Sequence, residues 1–340
     1  MREIIVKELE AGQRLDKFLH KYLKEAPNSF LYKMMRKKNI VLNGKKVTGS
    51  EQIKEGDSVK LFLSEETIEK FMGRSAAMDI TAPYKKAYAE LKGIQIVSEF
   101  EDVLFINKPS GILSQRAEGN DLSANEWLIG YLLDKKTITI DDLMTFKPSV
   151  CNRLDRNTSG LLVCSKTLLG SQEMARVLKD RSLHKFYRCL VHGKCELDGV
   201  YEAFLYKDEK TNKVNIYNSV EEFDGVFKDK LKPIRTGIKP IAYHNGVTEL
   251  EIELFTGKTH QIRAQMEKLG YPLVGDAKYT GDVVCSDFKD KKVAVNAKSN
   301  GSKNIGQLLH AYRLVFPKMD GKLLYLSEKE IICEKPDYFM

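Results

Sequence analysis

The sequence predicts an α+β protein in two parts. A small helix–helix–hairpin module comes first, followed by a larger domain with a mixed, largely antiparallel central sheet flanked by helices. Three observations predict this. Two short amphipathic segments precede an Asn-Gly turn between β-prone runs, within the first 50 residues of 340. The remainder alternates strand-like and helix-like segments without regular βαβ units. One strand candidate, Thr248 to Phe255 (TELEIELF), alternates polar and apolar residues, as an antiparallel strand with one wet face does.

Arg14 to Leu23 places Leu15, Phe18, Leu19 and Tyr22 on one helical face. Pro27-Asn28-Ser29 interrupts it, with Ser29 as the expected N-cap of a second helix, Phe30 to Lys38. Asn43-Gly44 then predicts a type I′ hairpin turn, and Ser58 to Leu63 a further strand. Residues 64–93 are polar and broken by Gly73 and Pro83; they read as a linker with some helix near Lys85 to Leu91. The expected division is therefore 1–63, a linker at 64–93, and 94–340. Such a linker would let the first module move relative to the second. In the larger part, Ile94 to Ser98, Val103 to Ile106, Leu161 to Ser165, Phe186 to His192 and Thr248 to Phe255 read as strands. Ser171 to Lys179 and Thr259 to Leu269 read as helices, the latter stopped by Gly270.

No apolar run approaches the ~20 residues needed to cross a bilayer, and the charged N-terminus lacks a secretory h-region. The expected location is cytoplasmic, without membrane contact. There is no G-x-G-x-x-G and no P-loop. The six cysteines form no C-x-x-C pair. Cys189, His192 and Cys195 are close in sequence, but Cys189 and His192 would point to opposite faces of a strand, so free buried thiols and no metal are expected. No feature speaks for oligomerisation, and a monomer is expected.

The net charge of +8 is unevenly spread. Residues 1–62 hold 14 Lys/Arg against 8 Asp/Glu, and Ser29 to Lys46 holds six basic residues and no acidic one. Charge concentrated on a small module is the footprint of a polyanion binder. Arg14, Lys17, Lys33, Arg36, Lys37, Lys45 and Lys46 are its candidate RNA-binding residues, although a solvated helix face would have the same composition.

The densest chemical signal is Asn152 to Gly160 (NRLDRNTSG), immediately before a buried strand. Two arginines flank one carboxylate. Neighbouring cations favour the ionised form of an aspartate, which suits a nucleophile or general base. Alone, the string also fits a structural salt-bridge cluster. A second cluster, Thr256 to Arg263 (TGKTHQIR), places Gly257 at a strand-to-helix turn and a His and an Arg at a helix start.

Together these segments resemble the RluA-type family of pseudouridine synthases, the branch that acts on large-subunit ribosomal RNA and some tRNAs. The motifs are INKPSGIL (Ile106 to Leu113), NRLDRNTSGLLV (Asn152 to Val163), KFYRCLVHG (Lys185 to Gly193), GKTHQIR (Gly257 to Arg263), GYPLVGDAKY (Gly270 to Tyr279) and LLHAYRLVF (Leu308 to Phe316). The first module, over about 13–62, resembles the S4-type RNA-binding domain, which commonly precedes this catalytic domain. The resemblance implies that a uridine is flipped from its RNA, cleaved at its N-glycosidic bond and rejoined through carbon 5, without cofactor or metal. Asp155 matches the essential aspartate, acting on the ribose at C1′ or by taking a proton at C2′. Arg263 matches the arginine that holds that aspartate. Tyr187 matches the tyrosine against the target base, for stacking and as a candidate for removing the C5 proton. Arg153 matches the arginine linked to base flipping, and Leu309 falls near an apolar wall under the base. Asn152, Asn157, Lys258 and Gln265 depart from the common His, Asp, Arg and His. The implied partner is RNA, with 23S ribosomal RNA expected. A tRNA target, an inactive RNA-binding or ribosome-assembly factor, and a hydrolase that releases uracil are the alternatives.

Overall fold

The computed structural model describes residues 1–73, 80–225, 228–279, 306–337 and 339. Cys285 lies outside them. The first 73 residues form a four-stranded sheet with three helices. The strands are β1 (Arg2–Ile5), β2 (Ile40–Leu42), β3 (Lys45–Lys46) and β4 (Ser58–Leu61), in the order β1-β4-β2-β3. The helices are α1 (Leu15–Tyr22), α2 (Asn28–Arg36) and α3 (Glu65–Met72). Asn43 and Gly44 both have positive φ, 50° and 74°, as the type I′ turn requires. Ser29 does not cap α2. The helix starts two residues earlier, at Asn28, with Pro27 in extended conformation at the cap position and no side-chain cap; proline presets φ for a helix entrance and has no N–H to satisfy.

The segment read as a linker holds two helices. Ser64 caps α3, its Oγ accepting from the Thr67 N–H at 3.3 Å, and Ile68 and Met72 are buried in the core of the N-terminal module. The second, α4 (Ala82–Glu90), packs on α5 (Ala124–Asp134) through buried Ala87 and the Tyr88–Trp127 ring contact. Several contacts join the module to the larger part. Lys7 Nζ bonds Asp142 Oδ1 at 2.6 Å, Thr145 donates to Glu10, and Lys322 pairs with Glu8 at 2.7 Å. Met144 packs on the module's core from α6 (Asp142–Thr145).

The larger part is one sheet. Its strands are β5 (Gln95–Glu99), β6 (Val103–Lys108), β7 (Ser149–Val150), β8 (Ser159–Ser165), β9 (His184–His192), β10 (Gly199–Lys207), β11 (Val214–Tyr217), β12 (Lys232–His244), β13 (Val247–Leu254), β14 (Leu309–Val315) and β15 (Glu330–Ile332). The order is β11-β10-β12-β13-β9-β14-β8-β6-β5, with β7 on β8 and β15 on β14. Every pairing is antiparallel except β14 with β8. The central strands are buried on both faces, and their side chains alternate between two cores. Leu162 and Cys164 of β8, with Leu104 and Ile106 of β6, join the core under α5. Leu161, Val163, Val103 and Phe105 join the core under α7 (Leu168–Lys179). Thr167 caps α7, its Oγ1 accepting from the Gly170 N–H at 3.0 Å. Strand β13 is less exposed than its alternation suggested. Glu249 is fully buried, with Arg188 at 3.4 Å and Lys335 at 3.8 Å, so charge complementarity rather than water receives that face. No helix among the described residues is long and apolar enough to cross a membrane.

Candidate active site

Residues Cys151 to Thr158 form a loop between β7 and β8, tied at both ends. Asn152 bridges the β8 backbone: its side-chain oxygen accepts from Val163 N–H at 2.8 Å and its amide donates to Leu161 O at 3.3 Å. The Leu154 N–H donates to Ser114 Oγ at 3.0 Å, and that hydroxyl donates back to Leu154 O at 2.8 Å. The turn after β6 zips onto the loop, with Gly111 N–H on Arg156 O and the Ser110 hydroxyl on Asn157 O, both at 2.9 Å. Lys108 is fully buried beneath. Its Nζ donates to the carbonyls of Pro109 (3.0 Å), Ile112 (2.8 Å) and Arg156 (3.1 Å). Burial pulls this ammonium down to about 7, with Asp155 opposing. Three acceptors match the three donors of the charged form.

The loop presents Asp155 to helix α8 (Gln261–Lys268). The helix begins two residues later than its composition suggested, because His260 takes a left-handed conformation (φ 53°) at the cap. Arg263 reaches back from its first turn. Its Nη1 bonds Asp155 Oδ2 at 2.7 Å, while Nε and Nη2 hold both oxygens of Asp276, at 2.6 and 2.8 Å. Asp276 is 1% exposed. The guanidinium is thus fixed on two sides, and the two carboxylates outweigh its burial and raise its pKa. His260 Nε2 lies 3.8 Å from the same Asp155 oxygen. Gln265, where a second histidine was the common residue, is a buried structural amide: it accepts from Thr236 Oγ1 at 2.6 Å and donates to Tyr201 O at 3.2 Å.

Strands β9 and β14 supply the apolar side of the site. Their register places Leu309 opposite Cys189 and Tyr187 opposite Ala311, so Tyr187 and Leu309 are diagonal neighbours on one face. Both are buried. Burial first, then the Asp155 charge, pushes the Tyr187 phenol far above its usual range. A cleft of about 870 Å³ gathers Arg153, Asp155, Tyr187, Arg263 and Leu309. Among the described residues its walls carry eight basic side chains and one carboxylate, Asp155. Of the basic residues, Lys179, Arg181, Lys185 and Lys278 were not among the RNA-binding candidates of the sequence reading.

The candidate residues of that module are elsewhere. Lys17, Lys33, Arg36, Lys37, Lys45 and Lys46 are exposed on α1, α2 and the hairpin. Arg14 is exposed but committed to Asp16, at 3.1 and 2.6 Å, and Tyr32 also donates to Asp16 at 3.0 Å. Cys189 and Cys195 are core residues, and no group of three metal-ligating side chains occurs among the described residues.

One strand contact positions the Asp155 loop. Gly160 of β8 pairs with Ala311 of β14, and Ser159 Oγ meets His310 Nδ1 at 2.8 Å. His310 is fully buried, and burial lowers its pKa to about 4. A group whose folded pKa lies below its unfolded value of ~6.5 stabilises the fold above that value and loses the contribution as pH falls toward 4. We expect about 3 kcal/mol to be lost across this window. Urea unfolding at pH 7 and pH 4.5 should show a steeper decline for the wild type than for His310→Asn. Equal slopes would mean that His310 does not titrate with unfolding.

With this geometry in hand, comparison with known proteins is decisive. The chain is 31% identical over 314 residues to the ribosomal large subunit pseudouridine synthase D of Neisseria meningitidis serogroup A, covering 90% of this chain and 72% of that one. The chain belongs to the RNA pseudouridylate synthase family. The family model for RNA pseudouridylate synthase matches residues 102–268, and the S4 domain model matches 13–59. The pseudouridine synthase C of Vibrio parahaemolyticus, also a large-subunit enzyme by name, is 28% identical over 272 residues, 79% of this chain and 77% of that one. The fold agrees with that of human RNA pseudouridylate synthase domain containing 4, at a TM-score of 0.55 and 20% identity, over 76% of this chain and 94% of that one. The protein is therefore a pseudouridine synthase with an S4 domain in front of its catalytic domain.

The sequence reading did not single out Lys108, Asp276 or Tyr279, and it gave His260 at the helix start no role. Lys108 carried a usable signal: it is the lone charge in its apolar, turn-forming motif INKPSGIL. Such a charge is buried only with dedicated partners.

Proposed function

We propose that this pseudouridine synthase modifies uridines of large-subunit ribosomal RNA in the cytoplasm, with Asp155 as its catalytic residue. The observation that carries this reading is the 2.7 Å pairing of Asp155, the one carboxylate among the cleft's described residues, with a doubly clamped arginine. An extruded uridine would enter the cleft with its base against Tyr187 and Leu309 and its ribose at Asp155. The raised pKa of Tyr187 supports stacking over proton abstraction by a resting phenolate. Arg153, exposed on the loop beside Asp155, suits the space the uridine vacates. The wall of lysines and arginines favours the RNA backbone without reading sequence. The two relatives named for the large ribosomal subunit support the choice of RNA. Mapping pseudouridine in large-subunit RNA after incubation with the protein tests the proposal.

The S4 domain adds a second contact surface in this reading. Changing Lys33, Arg36 and Lys37 together to glutamine should weaken binding and lower its salt dependence by about 0.7–0.9 in logarithmic slope per lost phosphate contact. Titrations at several salt concentrations measure it. An unchanged slope would move RNA binding to another face.

A further inference from the structure

We propose that Tyr279 and His260 form a positioning pair that fixes the imidazole tautomer, turns its Nε2–H toward Asp155 Oδ2, and leaves Oδ1 as the oxygen that meets the ribose. The last step rests on the function proposed above; the hydrogen-bond chain does not. Tyr279 is 5% exposed. Its hydroxyl oxygen accepts from the backbone N–H of Val214 at 3.1 Å and lies 2.9 Å from His260 Nδ1. The phenol is pushed up to about 12, chiefly by burial, so it keeps its proton. That proton needs an acceptor, and among the described residues Nδ1 is the one within reach. If Nδ1 carried hydrogen instead, the hydroxyl oxygen would accept twice while its own proton stayed unpaired in a buried site. With Nδ1 as acceptor, a neutral imidazole carries its hydrogen on Nε2.

The other face of the ring selects the same tautomer. Nε2 lies 3.8 Å from Asp155 Oδ2, and a bare lone pair there would face a carboxylate. The charged or titratable groups acting on His260 are Asp155, Arg263, Lys278 and Asp276, with Tyr279 in direct contact. Burial dominates and lowers the imidazole's pKa, which favours the neutral ring. Two strained or packed features hold the ring in place. His260 adopts a positive φ that few non-glycine residues accept, and its ring meets Tyr279 edge-on at 5.7 Å. Tyr279 also lies under the Arg263 guanidinium, 5.1 Å from its carbon. Arg263 and His260 therefore approach the same oxygen of Asp155. Oδ1 has no protein partner among the described residues.

The test uses the full-length protein labelled with ¹⁵N-histidine. Long-range ¹H–¹⁵N spectra at pH 7.5 report the tautomer of His260 directly. The wild type should show hydrogen on Nε2, and Tyr279→Phe should show a mixture of tautomers. In tritium release from transcribed large-subunit RNA carrying 5-³H-uridine, Tyr279→Phe should lower kcat about tenfold at unchanged KM. Hydrogen on Nδ1 in the wild type would overturn the pair without any variant having to fold. So would an undisturbed tautomer and an undisturbed kcat in Tyr279→Phe. If the wild type released no tritium, the proposed function would fall, while the spectra would still decide the tautomer.

Discussion

Asp155→Asn is expected to abolish isomerisation while leaving RNA affinity within about twofold. Asparagine has nearly the same shape but is a poor nucleophile and a poor base. The surroundings would survive the change. Arg263 keeps both bonds to Asp276, at 2.6 and 2.8 Å, so its charge is not left unpaired in the interior. The loop is held by Asn152, Ser114 and the turn after β6 rather than by the Asp155 carboxylate. Removing one negative charge from a wall of eight basic side chains also does not weaken a polyanion. Tritium release from 5-³H-uridine RNA and a binding titration of the same RNA measure the two quantities. Collapse of affinity together with turnover would make Asp155 structural.

Gly160→Ala should have the largest effect on stability. Gly160 has φ +111°, and an added Cβ would lie 2.1 Å from the carbonyl oxygen of Ala311 and 2.6 Å from its nitrogen. Neither atom belongs to a flexible side chain. The contact is the parallel pairing of β8 with β14, which joins the strand leaving the Asp155 loop to the strand carrying Leu309. Relief requires the strands to part, and we expect a cost of about 4 kcal/mol or more. Urea denaturation would show a large drop in midpoint, or the variant would fail to accumulate as folded protein. An unfolding free energy within about 0.5 kcal/mol of wild type would contradict the close approach.

The signals that act locally were legible in the sequence. Asn43-Gly44 announces its turn because φ must be positive at both residues. The buried run at Leu161 to Ser165 announces a central strand because both of its faces are apolar. The site was legible as strings, Asn152 to Gly160 and Gly257 to Arg263; that they meet came from the family resemblance and not from the strings themselves. Arg263 and Asp155 are 108 residues apart, and nothing in either string fixes their 2.7 Å contact. The clamp by Asp276 depends on a third segment. The helices of residues 64–93 were legible only in part, as some helix near Lys85 to Leu91, for a related reason. Residues 64–93 look polar because each helix buries only a few side chains, Ile68 and Met72 in one and Ala87 in the other. Those few dock on partners far away in sequence. Ser29 misled because it is a good cap that was not needed: Pro27 already directs the chain into the helix. Positive charge was assigned to the first module because it is dense there. The lysines and arginines of the cleft come from separate segments and converge only in the fold.

The central claim is that Asp155 converts uridine to pseudouridine in large-subunit ribosomal RNA. The most direct measurement maps pseudouridine at nucleotide resolution in total RNA from cells with the gene, without it, and with only an Asp155→Asn copy. We expect one or a few positions in the large-subunit RNA to lose pseudouridine in both the deletion and the mutant. Unchanged pseudouridine at every position would contradict the claim, and would leave the S4 domain as the working part of the chain.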